Sequence, residues 1–168
     1  MSDLCTELGK EADILLDNLE YTEKSHFAAS ERSLRMHWWL GIIAVVAGAA
    51  AAIVVLKQSW PAVAAGLAGL ASATSAVLTL VNPKELAQRH LDCGRDLGAL
   101  RVEVRQVRNL DLPSVAAGDL TSIRKSLRKF AERKATIDRA APGLNERAFK
   151  RARRKIQRGD FQTELPTS

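Results

Sequence analysis

Two charge-free stretches sit almost back to back in the middle of this chain. No Asp, Glu, Lys or Arg occurs from 38 to 56, none from 58 to 82, and Lys57 alone separates them. At about 1.5 Å of rise per residue, a helix over the first stretch reaches roughly 28 Å, close to the hydrocarbon thickness of a bilayer. Each stretch therefore reads as a membrane span. The join, Lys57-Gln58-Ser59-Trp60-Pro61, carries a proline that stops one helix and opens the next, and so short a connection requires an antiparallel hairpin. A signal peptide would place a shorter apolar core near residue 1, whereas here a long charged segment comes first. A buried soluble hairpin or a re-entrant loop is the competing reading, because Ala and Gly keep each stretch only moderately hydrophobic. Trp38, Trp39 and Trp60 favour the membrane, since they fall at the ends of the spans, where amphipathic rings prefer the interface. Lys24, Arg32 and Arg35 flank one end and Lys84, Arg89, Arg95 and Arg101 the other, against one Lys in the loop. This asymmetry predicts that both termini face the cytoplasm.

The spans carry a packing pattern of their own. Ala44, Gly48 and Ala52 recur every four residues in the first, and Ala65, Gly69 and Ala73 in the second, a small-residue repeat that lets helix backbones approach closely. Ser72, Ser75 and Thr79 form a hydroxyl stripe on the second span. Such hydroxyls commonly bond back to carbonyls of their own helix or across to a neighbouring one. The alternative is that they line a water-filled path in an oligomer.

Both spans are expected to continue into polar helices. After Pro83, residues Leu86, His90, Cys93, Leu97, Leu100, Val104 and Val107 follow one another by three and four, a coiled-coil-like seam. Before Trp38, residues Leu4, Leu8, Ala12, Leu15, Leu19, Thr22, His26 and Ala29 give a more polar stripe, so one helix from about Ser2 can run straight into the first span. Counted outward at helical rise, His26 and His90 come within about a turn of the same level. Their ordinary role is a satisfied polar contact inside the seam; the functional alternative is a proton-sensitive switch. A metal site on His90 and Cys93 lacks a full ligand set. The pattern breaks from Asn109 to Gly118, around Pro113, and resumes as an amphipathic helix to about Ala140.

A last short helix is expected after Asn145, with Lys150, Arg151, Arg153, Arg154, Lys155 and Arg158 as its cations. These suit a solvated face or anionic lipid headgroups. Recognition of a nucleotide phosphate by paired arginines is a further alternative, which no glycine-rich phosphate loop strengthens. Direct nucleic-acid binding is not expected, since Phe149 is the only aromatic residue among them. Charge is divided along the chain. Residues 1–38 hold four basic and eight acidic side chains, and residues 82–168 hold twenty and eleven, so the two ends can attract one another within a protomer or across an oligomer. Cys5 and Cys93 form neither a disulfide framework nor a zinc motif, and no nucleophile elbow, metalloprotease helix or phosphate loop points to an enzyme or a cofactor.

The stretch Tyr21-Thr22-Glu23-Lys24-Ser25-His26-Phe27, the Trp39-Leu40-Gly41 entry, the Asn82-Pro83 exit, the helix with His90 and Arg101, and the basic segment from Asn145 to Gly159 together resemble the SLATT family of bacterial two-span proteins. The resemblance covers nearly the whole chain. It implies a small oligomerising membrane effector of antiviral conflict systems, triggered by a partner sensor or a nucleotide signal to form pores and kill the cell. The expectation is thus an all-α, two-span transmembrane helical hairpin in the bacterial inner membrane. Its parts are an N-terminal cytoplasmic helix over 1–37, spans over 38–56 and 62–82 joined by a loop over 57–61, a cytoplasmic helix over 83–110, and basic amphipathic helices and a tail over 111–168. A non-conducting membrane adaptor that recruits a partner through its basic end is the alternative.

Overall fold

The computed structural model describes residues 2–58, 60–114 and 120–144. All elements among these are helical. α1 runs unbroken over Ser2–Leu56, as the stripe before Trp38 expects, and α2 over Pro61–Val81. α3 (Pro83–Gln106) passes through a π-helical turn, Val107–Asp111, into a short α4 (Leu112–Ser114), and α5 spans Leu120–Ala140.

The helix boundaries have local causes. Pro61 occupies the first turn of α2, where its missing N–H costs nothing. Asn82 ends α2 in the left-handed region (φ 42°), with its N–H donating to the Leu78 carbonyl. The same residue starts α3: its Oδ1 accepts from the Glu85 N–H at 3.4 Å and its Nδ2 donates to Glu85 Oε2 at 2.7 Å. Asn82 and Glu85 thus pair reciprocally as in a capping box, except that the carboxylate takes the Asn82 side-chain amide, the backbone N–H being already bonded to Leu78. At the far end of α3 the structure departs from the sequence expectation, because the helical path does not stop at about Asn109 but continues to Ser114. Leu112 N–H reaches back five residues to Val107 O. That wider turn shifts the hydrogen-bond register just before Pro113, whose ring would otherwise press on the carbonyl four residues earlier.

Two compact units emerge, one joining Met1–Ala29 to the chain from Arg89 onward and the other comprising Ser30–Gln88. The first has a conventional core. Leu8, Ala12 and Leu19 of α1, Cys93, Leu97, Leu100 and Val104 of α3, Leu112, and Leu120, Ile123, Leu127 and Phe130 of α5 are all buried together. Each fully buried Leu contributes about 1.5–3 kcal/mol over an exposed one.

The second unit is the reverse. It contains two helices long and apolar enough to cross a membrane, yet only 11% of each apolar window is buried inside the protomer. α1 and α2 touch along small side chains: Ala47, Ala51 and Ala64 are buried, and a Cβ on Gly48 would lie 3.9 Å from that of Ala71. Ile42, Val45, Val46, Ile53, Leu70, Val77 and Leu80 all point away from this contact.

Candidate functional site

The polar seam between α1 and α3 is built by register. From Phe27 back to Glu23, Glu20 and Asp13 on α1, each step is matched by an equal advance from Gly94 to Gly98 and Arg101 on α3 and to Arg108 in the π turn that follows it, and each facing pair is in contact. The two glycines make the approach possible. A Cβ on Gly94 would fall 2.8 Å from Phe27 Cε1, and one on Gly98 would sit 3.4 Å from the Glu23 carboxylate.

His26 and His90 meet in this seam, 1% and 3% exposed, with their Nδ1 atoms 3.0 Å apart and ring centroids 5.2 Å apart. Such a contact needs one ring to donate N–H and the other to present a bare Nδ1, so the rings hold different tautomers. Burial, and then the neighbouring His90, push His26 down from 6.5 to about 4; Asp138 of α5 opposes this shift and Lys134 adds to it. Burial lowers His90 as well. Both rings are therefore neutral at physiological pH. Charging both would set two N–H groups against each other in a water-poor seam.

One turn away, Glu23 (6% exposed) lies 3.1 Å from Arg101 Nε. The approach is an ion pair without hydrogen-bond alignment, since Glu23 Oε2 and Arg101 Nε are buried and lack a hydrogen-bonded partner. Burial raises the Glu23 carboxyl and Arg101 pulls it back. Arg101 also reaches Glu20 at 3.3 Å. Beyond the seam, Arg108 grips Asp13 through two hydrogen bonds of 2.9 and 3.0 Å, and Arg133 of α5 grips Glu103. The opposed charges of the two ends of the chain thus meet, in part, inside one protomer. Cys93 is buried and its thiol is pushed up to about 11, chiefly by burial and then by Asp138 and Asp96, so it is a poor nucleophile at neutral pH. Among the described residues no three His, Cys, Asp or Glu side chains come together as a metal site.

The hydroxyl stripe has a different setting. Ser72, Ser75 and Thr79 are exposed, and the Thr79 hydroxyl donates to the Ser75 carbonyl. At about 100° per residue, they share one flank of α2 with Ala65, Gly69, Ala73 and Ala76, all exposed. Val63, Leu70 and Val77 give the opposite flank its bulk. Of the two small-residue repeats, Ala44 and Gly48 are half-buried, whereas Ala52, Ala65, Gly69 and Ala73 are exposed. The repeat on α2 is therefore not its contact with α1, which runs instead through Ala64, Leu67, Ala71, Thr74 and Leu78. Thr74 is the buried hydroxyl, bonded back to the carbonyls of Leu70 and Ala71.

Sequence reasoning found the histidines but missed the Glu23–Arg101 pair, Gly94, Gly98 and Thr74. The four-residue spacing of Gly94 and Gly98, next to a seam already read from Cys93 and Leu97, was the available signal. Lys150, Arg151, Arg153, Arg154, Lys155 and Arg158 lie outside the described residues.

No family model, no curated protein and no solved structure matches this chain.

Proposed function

We propose that the chain is a two-span membrane effector of a bacterial defence system, both termini in the cytoplasm, which assembles into an oligomer and opens a conductive path when a signal reaches its polar helices. The observation that carries this reading is the unburied apolar surface of α1 and α2. A soluble core helix hides most of its apolar side chains, whereas only 11% of the apolar window in each of these helices is buried. Water cannot hold such a surface at low cost, because every apolar Å² left exposed forgoes about 25 cal/mol. Lipid can. Trp38, Trp39 and Trp60, 65%, 63% and 74% exposed, supply interfacial anchors at the ends of the hairpin.

The small-residue flank of α2, interrupted only near its end by Leu80, supports assembly. In lipid, helices associate through close packing and interhelical hydrogen bonds, and small residues and hydroxyls serve both. With Ala65, Gly69 and Ala73 turned outward, that flank suits the α2 of other copies, and Ser72, Ser75 and Thr79 would then face one another around a central path. The resemblance to the SLATT family supports the same class of effector, with a sensor protein or a nucleotide messenger as trigger and anionic headgroups as surroundings. The neutral His26–His90 contact fits a closed resting state.

The test is release of dye or ions from liposomes bearing the full-length chain, with classes of nucleotide messenger and candidate sensor proteins added one at a time. Release with one of them, and its loss in a Ser72→Leu/Ser75→Leu/Thr79→Leu variant, is expected. Silence with every class of nucleotide and with every candidate sensor protein contradicts the reading. The adaptor alternative rests on the basic segment over 150–158; it requires the triple Ser72→Ala/Ser75→Ala/Thr79→Ala variant to keep full activity while neutralising Arg151, Arg153 and Arg154 removes it.

A further inference from the structure

Two exposed ridges of opposite charge run along different helices of the polar unit. On α1, Asp3, Glu7 and Glu11 follow one another every four residues and Asp17 lies on the same exposed side, with Ile14, 56% exposed, among them. Lys10, paired with Glu7 at 2.9 Å, is the one cation in this stretch. On α5, Arg124, Lys125, Arg128 and Lys129 are all exposed, and only Arg128 has an acid beside it, Glu132 at 3.2 Å. Among the described residues, Glu11, Asp17, Arg124, Lys125 and Lys129 take part in no ion pair.

Both ridges cost the isolated protomer stability. Like charges four residues apart, as in Glu7/Glu11, Arg124/Arg128 and Lys125/Lys129, weaken a helix by a few tenths of a kcal/mol per pair. All four of these cations stand in the N-terminal half of α5, within six residues of one another.

We infer that the basic ridge of α5 in one protomer receives the acidic ridge of α1 from a second copy of this chain, in a head-to-tail contact. The occupant follows from complementarity: the two ridges are opposite in sign, and Ile14 offers an apolar centre to the contact. A lipid surface or a nucleic acid would satisfy α5 but leave the acidic ridge of α1 without a purpose. Because the two contact surfaces differ, each protomer keeps one of each free for the next copy, and the contact propagates into a ring if the rotation closes. This deepens the proposed function, since it rests on the reading that the chain assembles and names the surface that joins the copies.

The experiment is the mass distribution of the full-length chain in detergent micelles, for wild type and for two charge reversals, Glu7→Lys/Glu11→Lys and Arg124→Glu/Arg128→Glu. Each reversal alone is expected to weaken assembly by about tenfold or more, as the loss of several rim charge pairs implies. Mixing the two variants in equal amounts restores assembly, because their copies alternate with every contact again of opposite sign. Combining all four substitutions in one chain restores it too, and this shows that the substituted helices still fold. Monomeric wild type, wild-type assembly by both reversals, or failure of the mixture and of the fourfold variant to assemble would each overturn the inference. So would a defect confined to the α5 reversal, the result expected of a polyanionic partner. Dye release that survives both reversals contradicts this contact alone, whereas restored assembly with liposomes that never release dye contradicts the pore reading alone.

Discussion

At the scale of single residues, the polar unit keeps two imidazoles in a place that tolerates them only while neutral. His26 is held at about 4 by burial and by His90, against 6.5 in an unfolded chain. The unfolded state therefore takes up a proton first as the pH falls. Stability is fully present above about 6.5 and is lost from there down towards 4, at about 1.4 kcal/mol per pH unit for each proton taken up. His90, also lowered by burial, acts in the same direction. Asp138 and Lys134 of α5 set opposing fields at His26, and Glu23, raised by burial, works the other way, gaining protons in the folded state over the carboxylate range. Thermal unfolding followed by circular dichroism should show the melting temperature of the wild type falling between pH 6.5 and 4.5. A His26→Gln/His90→Gln variant should have a shallower slope over that window, and equal slopes would remove the histidines from the account. The pairing of these rings was legible in the sequence because helical rise put both at one level. Their tautomers and the Glu23–Arg101 pair beside them were not, since they depend on the rotation of α1 against α3.

At the scale of elements, spacing by three and four gave nearly all of the seam: His90, Cys93, Leu97, Leu100 and Val104 are buried as it requires, with Leu86 and Val107 at its half-buried ends. Where a helix stops was harder to read. Pro113 signals a break, but a π turn absorbs its ring and the helical path goes on. The face that α2 turns to α1 was not legible either, because most of its residues are small or apolar and periodicity cannot rank them. The glycines of α3 supply a test of the close contact. Gly→Ala inside a helix ordinarily gains about 1 kcal/mol. At Gly94 the added methyl would meet the Phe27 ring at 2.8 Å, and overpacking of this kind costs about 1–3 kcal/mol. Gly94→Ala is expected to destabilise the wild type yet stabilise a Phe27→Ala background, and chemical denaturation of the four chains of this double-mutant cycle measures the change of sign. A gain in both backgrounds would mean that α1 and α3 do not approach so closely.

At the scale of the whole molecule, one chain carries two solutions to the same problem of apolar surface. The described residues up to Ala29 and from Arg89 bury theirs in a shared core with charged exteriors, as a water-facing bundle does, while Ser30–Gln88 leaves most of its apolar side chains outside. This division was legible in the two charge-free stretches alone, because length and the absence of charge constrain a span more tightly than any motif. The proposed assembly, its trigger and its conduction all presuppose that these stretches lie in a bilayer. The most direct measurement is labelling by a membrane-impermeant maleimide in intact bacterial cells and in inverted membrane vesicles, using the native Cys5 and single cysteines introduced by Gln58→Cys, Val46→Cys and Leu70→Cys. The account predicts reaction at position 58 only from outside the cell, at Cys5 only from the cytoplasmic side, and at positions 46 and 70 from neither. Reaction at 46 and 70 as fast as at 58, or recovery of the folded chain in the soluble fraction without detergent, would contradict it.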